Sequence, residues 1–331
     1  MIDASSAANY ARSMVRSLLT SIACIAALSV TSALAAKPAP APPAIIDLTG
    51  EYTRFYHETE GQPAPLRVAK FKQLMEKRFP GFYSETRLDV PAAKYDSWVT
   101  RSFEDFPAIE KKFTARAAAL PAAFAIAIRD FARTFPDAGA LPPIYLVHSL
   151  GEMDGGTREI GGKTVLVFGA DVIAQVHKDN ANERPFFEHE LFHTYHEPRF
   201  AECKPLWCAL WEEGLATYVA DQLNPGATNS ELLLTDDMRR QIDANRVAAV
   251  CAVRQRVMSE EGNDYSALFN GGRNLPGLPQ RAGYYVGYLV AKGLGEGRTL
   301  SELARWDQAT ARPHILAELA KMAPDCPATG S

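Results

Sequence analysis

The amino-acid sequence predicts an α+β fold, mostly helical, with a small β-sheet ahead of one histidine-bearing helix. Three observations carry this. Over 66–79 apolar residues recur at helical spacing, with Val68, Phe71, Leu74 and Met75 on one face. After Pro142 come two β-type runs, at 144–147 and 163–168, with Gly155, Gly156, Gly161 and Gly162 marking turns between them. Beyond 170 the patterns are helical again. Helices, a little sheet, then helices is an α+β order.

Residues 18–36 are apolar and uncharged, Arg12 and Arg16 precede them, and Ala33 and Ala35 close the run in an A-x-A pattern. Residues 1–36 therefore read as a signal peptide and imply a periplasmic or secreted protein. An uncleaved anchor is the competing reading, because a stretch of this length just spans a bilayer. Residues 37–44, KPAPAPPA, form a stiff Pro/Ala-rich linker. A helical N-terminal region covers 45–140; its second long segment, 106–135, is punctuated by Pro121. In 141–331 the hairpin or small sheet is followed by helical segments at 182–197, 206–221, 236–259, 283–294 and 313–322.

Composition narrows the function. The chain has 331 residues, 47% hydrophobic and 22% charged, which is globular and excludes a disordered or multi-span membrane protein. A net charge of −4 without a basic block gives no nucleic-acid footprint. Removing Cys24 with the leader leaves Cys203, Cys208, Cys251 and Cys326. An even count in an exported chain favours disulfides over free thiols. The short loop favours Cys203–Cys208, and hence Cys251–Cys326. No C-x-x-C spacing suggests a cysteine zinc site.

The sharpest motif is H-E-x-x-H at 189–193. On a helix, residues four apart share a face, so the imidazoles of His189 and His193 can reach one Zn²⁺. Glu190 lies beside them, placed to act as general base toward a water on that metal. Pro185 near the first turn and Pro198 beyond the end fit helix boundaries. A catalytic zinc takes a third protein ligand and keeps one position open. Downstream stands W-E-E-G-L-A-T-Y at 211–218.

With that second motif the chain resembles the gluzincin metallopeptidases, in which a glutamate of an E-G-x-A helix completes the site. More narrowly, it is similar to bacterial predicted Zn-dependent protease families. The resemblance spans about 187–221. It implies a zincin-like fold for 141–331 and Glu213 as third ligand, with Gly214 and Ala216 letting the two helices approach. The aminopeptidase-type spacing selects Glu212 instead; the E-G-x-A context selects Glu213. Several gluzincins carry an aspartate four residues after the ligand, where this chain has Thr217; Asp221 is the nearest substitute.

A late R-A-G-Y-Y-V-G-Y stretch at 281–288 matches a G-Y-Y-x-G pattern of similar zincins, which proposes Tyr284 or Tyr285 as a phenol donor to the oxyanion. Arg281 reads as a surface cation, with a substrate carboxylate as the alternative partner. His196 reads as a helix-end histidine or a partner behind a ligand. His57, His148, His177 and His314 have no spacing that implies chemistry. The strand at 164–168 is expected to rim the cleft and to receive a peptide as an added strand. The expected activity is peptide-bond hydrolysis by one zinc per chain. Its substrate is a peptide or protein, with no nucleic acid and no stable membrane insertion after leader removal. A non-catalytic zincin-like envelope binding protein is the alternative, and Glu190 argues against it.

Overall fold

The computed structural model describes residues 43–179, 181–200, 202–270 and 275–326. The expected signal peptide, residues 1–36, and residues 37–42 of the expected linker lie outside the described residues. The fold is α+β. The chain opens with strand β1 (Ile45–Asp47), then helices α1 (Thr49–Glu58), α2 (Ala64–Arg78) and α3 (Ala92–Thr134). Strands β2 (Ile144–Val147), β3 (Gly155–Ile160) and β4 (Lys163–Gly169) follow. Helices α4 (Ala170–Val176), α5 (Arg184–His196), α6 (Leu206–Leu223), α7 (Met238–Ala244), α8 (Arg246–Arg254) and α9 (Gly262–Tyr265) come next. Helices α10 (Ala282–Leu294), α11 (Leu300–Ala304) and α12 (Gln308–Met322) complete the chain.

The four strands form one sheet in the order β1-β2-β4-β3. β1 pairs parallel to β2, and β2 pairs parallel to β4. β3 runs antiparallel to β4, with Ile160 opposite Lys163. Only Gly161 and Gly162 lie between those partners, at φ 59° and 73°. That left-handed pair matches a tight hairpin turn, whose twist agrees with the strands it joins. The hairpin returns β4 to the sheet interior and leaves β3 on the edge. The strand expected to rim the cleft, 164–168, is therefore central, and β3 is the rim. Chain order alone does not set sheet order.

Helix α3 is longer than expected and runs through Pro107 and Pro121. Each proline removes one hydrogen bond of the ladder. Burial along one face offsets that loss: Phe106, Phe113, Phe124 and Phe131 are all essentially inaccessible to solvent. Phe124 stacks on Phe187 of α5 at 3.7 Å between centroids, and Phe168 of β4 meets both rings edge-on. Each buried ring contributes about 1.5–3 kcal/mol. The lower face of α5 is thus clamped between α3 and the sheet. The segment 236–259 breaks at Asn245 into α7 and α8.

Two disulfides are present, Cys203–Cys208 and Cys251–Cys326. The first closes the link between α5 and α6. The second ties α8 to the chain beyond α12. Both fit an oxidising compartment. Among the described residues no helix is long and apolar enough to cross a membrane.

Candidate metal centre

Helix α5 begins with Pro185 in its first turn and ends at His196, where a 3-10 turn containing Pro198 follows. Phe187, Leu191 and Phe192 are buried, which fixes the helix about its axis and aims the opposite face at α6. On that face His189 Nε2 lies 3.0 Å from His193 Nε2 and 3.1 Å from Glu213 Oε2. His193 Nε2 lies 3.4 Å from the same oxygen. Three lone-pair-bearing atoms thus face one point. Tetrahedral zinc ligands at about 2.0–2.1 Å stand roughly 3.3 Å from each other, close to these separations. Donor type and spacing fit a divalent cation.

The group polarises itself. Burial disfavours a charged His193, but the Glu213 carboxylate outweighs it and pushes the ring up to about 9. Burial also opposes ionisation of Glu213, yet the two histidines hold it well below the usual carboxylate range. Burial pushes His189 down. Glu190 is pushed by burial up to about 7, with Glu213 and Asp154 adding to the rise and His193 opposing it. A carboxylate poised there can accept a proton near neutrality and return it.

Glu190, His193, Glu197, Glu212 and Glu213 line a cleft of about 200 Å³ with Thr157 of the edge strand. Glu212 stands beside the group without joining it; burial pushes it up to about 7. A second cavity, about 370 Å³, is lined by Tyr83, Tyr95, Trp98 and His148 and holds none of the converging residues.

Helix α10 supplies the next wall. Built onto Gly214, a Cβ would lie 2.2 Å from the Gly287 carbonyl carbon; built onto Gly287, 2.2 Å from the Leu210 oxygen. The small residue of the E-G-x-A motif therefore admits α10 to α6, not α5 to α6 as the motif suggests. That contact lays Tyr284 beside His189, ring centroids 6.2 Å apart and nearly parallel. Burial raises the Tyr284 phenol well above its ordinary range, so it remains a proton donor. Tyr285 is not brought to the group: its hydroxyl donates to Asp243 Oδ2 at 3.1 Å. Adjacent residues on a helix point about 100° apart, so only one can face His189.

His189 Nδ1 is buried without a hydrogen-bond partner among the described residues. Thr217 Oγ1 donates to the Glu213 carbonyl at 2.8 Å, and Asp221 accepts from the Tyr288 hydroxyl at 2.8 Å. Neither serves the histidine. His196 is stacked between Phe192 and Phe200, and burial pushes it down to about 3. It is a core residue.

One histidine without a motif does matter. His177, just beyond α4, places Nδ1 2.6 Å from Glu183 Oε2 and Nε2 3.5 Å from Asp154 Oδ2. Glu183 also pairs with Arg116 of α3 at 2.7 Å. The cluster joins the start of β3, the start of α5 and the middle of α3. Burial opposes a charge on His177, but the two carboxylates prevail and push it up to about 9. A raised histidine stabilises the fold fully below its unfolded pKa, about 6.5, and loses that contribution as pH rises through the folded value. The melting temperature should therefore fall between about pH 6.5 and 9. The fall should be smaller in His177→Gln, whose side chain does not titrate. Parallel thermal melts check this; identical slopes in both proteins would refute it.

Comparison with protein-family models, with curated proteins and with solved structures finds no match. The functional reading rests on the site itself.

Proposed function

We propose that the chain is an exported zinc peptidase of gluzincin type, with a zincin-like fold and a peptide or protein as substrate. One observation carries the reading: His189, His193 and Glu213 converge from α5 and α6, and Glu190 opens on the same cleft. A binding protein has use for three ligands but none for a carboxylate raised to near neutrality beside them.

His189, His193 and Glu213 would hold the ion. Zinc, when bound, supplies Lewis acidity that polarises a carbonyl and brings water within reach of a weak base. Glu190 accepts the proton of the attacking water and delivers it to the leaving amine. Tyr284, kept protonated, is the donor on α10 for the oxygen that gains charge. The water oxygen joins the acyl carbon, the C–N bond breaks, and the amine departs with the proton. β3 pairs with β4 alone among the described residues, so its outer edge is free to hold a peptide by backbone hydrogen bonds.

A digest of a mixed peptide library tests the proposal. The purified protein should cleave peptides, lose at least about nine-tenths of that activity in excess chelator, and recover with added zinc. Cleavage untouched by chelation, or none from zinc-loaded folded protein, would reject it.

A further inference from the structure

Arg281 stands at the first position before α10, with φ 59° and ψ 28°. A non-glycine residue in that left-handed region costs on the order of 1–3 kcal/mol and persists where surroundings demand it. Its guanidinium carbon lies 4.3 Å above the Tyr284 ring. Tyr284 in turn lies against His189. Phe269, 5.8 Å from Tyr284, and Tyr265, 40% exposed, extend the same aromatic ledge.

Arg281 bonds to the Tyr284 side chain and feels Glu213 and Asp154 only at longer range, without an ion pair. Arg116, Arg158 and Arg184 are also partly buried, and each engages a carboxylate. Among the described residues no carboxylate lies within ion-pair distance of Arg281. The cleft at the converging residues is acidic, walled by Glu190, Glu197, Glu212 and Glu213. An anion is repelled there and drawn to the ledge.

We propose that Arg281 receives the free C-terminal carboxylate of the substrate and makes the protein a carboxypeptidase-type enzyme. The proposal rests on the peptidase reading. A guanidinium over an aromatic ring, with one donor on the Tyr284 side chain, keeps the rest of its fork for a carboxylate. The 4.3 Å from the guanidinium carbon to the Tyr284 ring and the 6.2 Å from that ring to His189 place it at most about 10.5 Å from His189, which an extended chain covers in about three residues. Water adds to the acyl carbon of a bond within about three residues of the end. The products are a shortened acid and a free amino acid or short peptide.

The test uses binding, so it does not depend on turnover. Zinc-loaded Glu190→Gln protein is titrated with N-dansyl-Ala-Ala-Phe-Ala as free acid and as C-terminal amide. The free acid should bind about tenfold more tightly or better. In Glu190→Gln/Arg281→Gln the two should bind alike, at the affinity of the amide. Arg281→Lys should restore part of the preference, since it keeps the charge without the fork. Equal binding of acid and amide by the Arg281 protein would overturn the proposal. So would no binding of either, or an equal loss of both in Arg281→Gln. Wild-type digestion is run in parallel. A carboxylate preference without any cleavage would remove the peptidase reading and leave the anion site standing.

Discussion

Replacing Glu190 by glutamine should leave the zinc bound and lower kcat on the order of 10³-fold. Glutamine keeps the shape and the cleft but cannot take a proton. The three converging atoms belong to His189, His193 and Glu213, so the donor set is intact. The loss corresponds to about 4 kcal/mol of barrier. The pH profile supplies a second check. In wild type the base is active once ionised, so the profile should carry an acid limb; burial raises its position and the bound cation lowers it. Residual Glu190→Gln turnover should lack that limb. Full activity in the variant would reject Glu190 as base. Loss of zinc together with activity would make it a structural residue.

A methyl group at Gly287 should be nearly as damaging, although the residue touches no ligand. A Cβ there meets the Leu210 oxygen at 2.2 Å and the Gly214 Cα at 2.8 Å. Both belong to the backbone of α6, so no rotamer change relieves the clash and the helices must separate. Overpacking of this kind costs typically 1–3 kcal/mol. Gly287→Ala should melt roughly 2–5 °C lower. Hydrolysis should fall further than stability explains, because Tyr284 on α10 and Glu213 on α6 are moved relative to one another. Gly50 is the control: a Cβ there meets nothing within 4 Å. Alanine at that helical position should be neutral or slightly stabilising. Equal behaviour of the two variants would mean that the helix contact is looser than described.

Much of the centre was legible because its logic is local. His189, Glu190 and His193 lie within five residues on one helix, and period alone predicts the common face of the two histidines, with Glu190 about 100° round from His189. The two-glutamate ambiguity was narrower than a spacing rule could decide, since one residue separates the candidates and only the position of α6 against α5 brings Glu213 to the histidines. What stayed hidden was long-range. β1 is three residues long and acquires its identity only by pairing with β2 almost a hundred positions away. α3 continues through two prolines because aromatic burial outweighs the lost bonds, a balance no residue-by-residue reading contains. Gly287 lay in plain view within the G-Y-Y-x-G stretch, yet its meaning required knowing that Gly214 faces it. Tyr284 and Tyr285 were equivalent by composition and were separated only by the direction α10 takes across α6. His177 carried no signal at all: its carboxylate partners, Asp154 and Glu183, stand just ahead of β3 and of α5 and meet it only in the fold.

The proposed chemistry requires that three side chains from α5 and α6 share one cation. Metal analysis of purified, dialysed protein tests it most directly. Wild type should carry about one zinc per chain, and His189→Ala should carry almost none while still folded, as expected when one ligand of a three-ligand site is removed. Unchanged zinc in His189→Ala, or folded wild type that takes up no zinc, would contradict it.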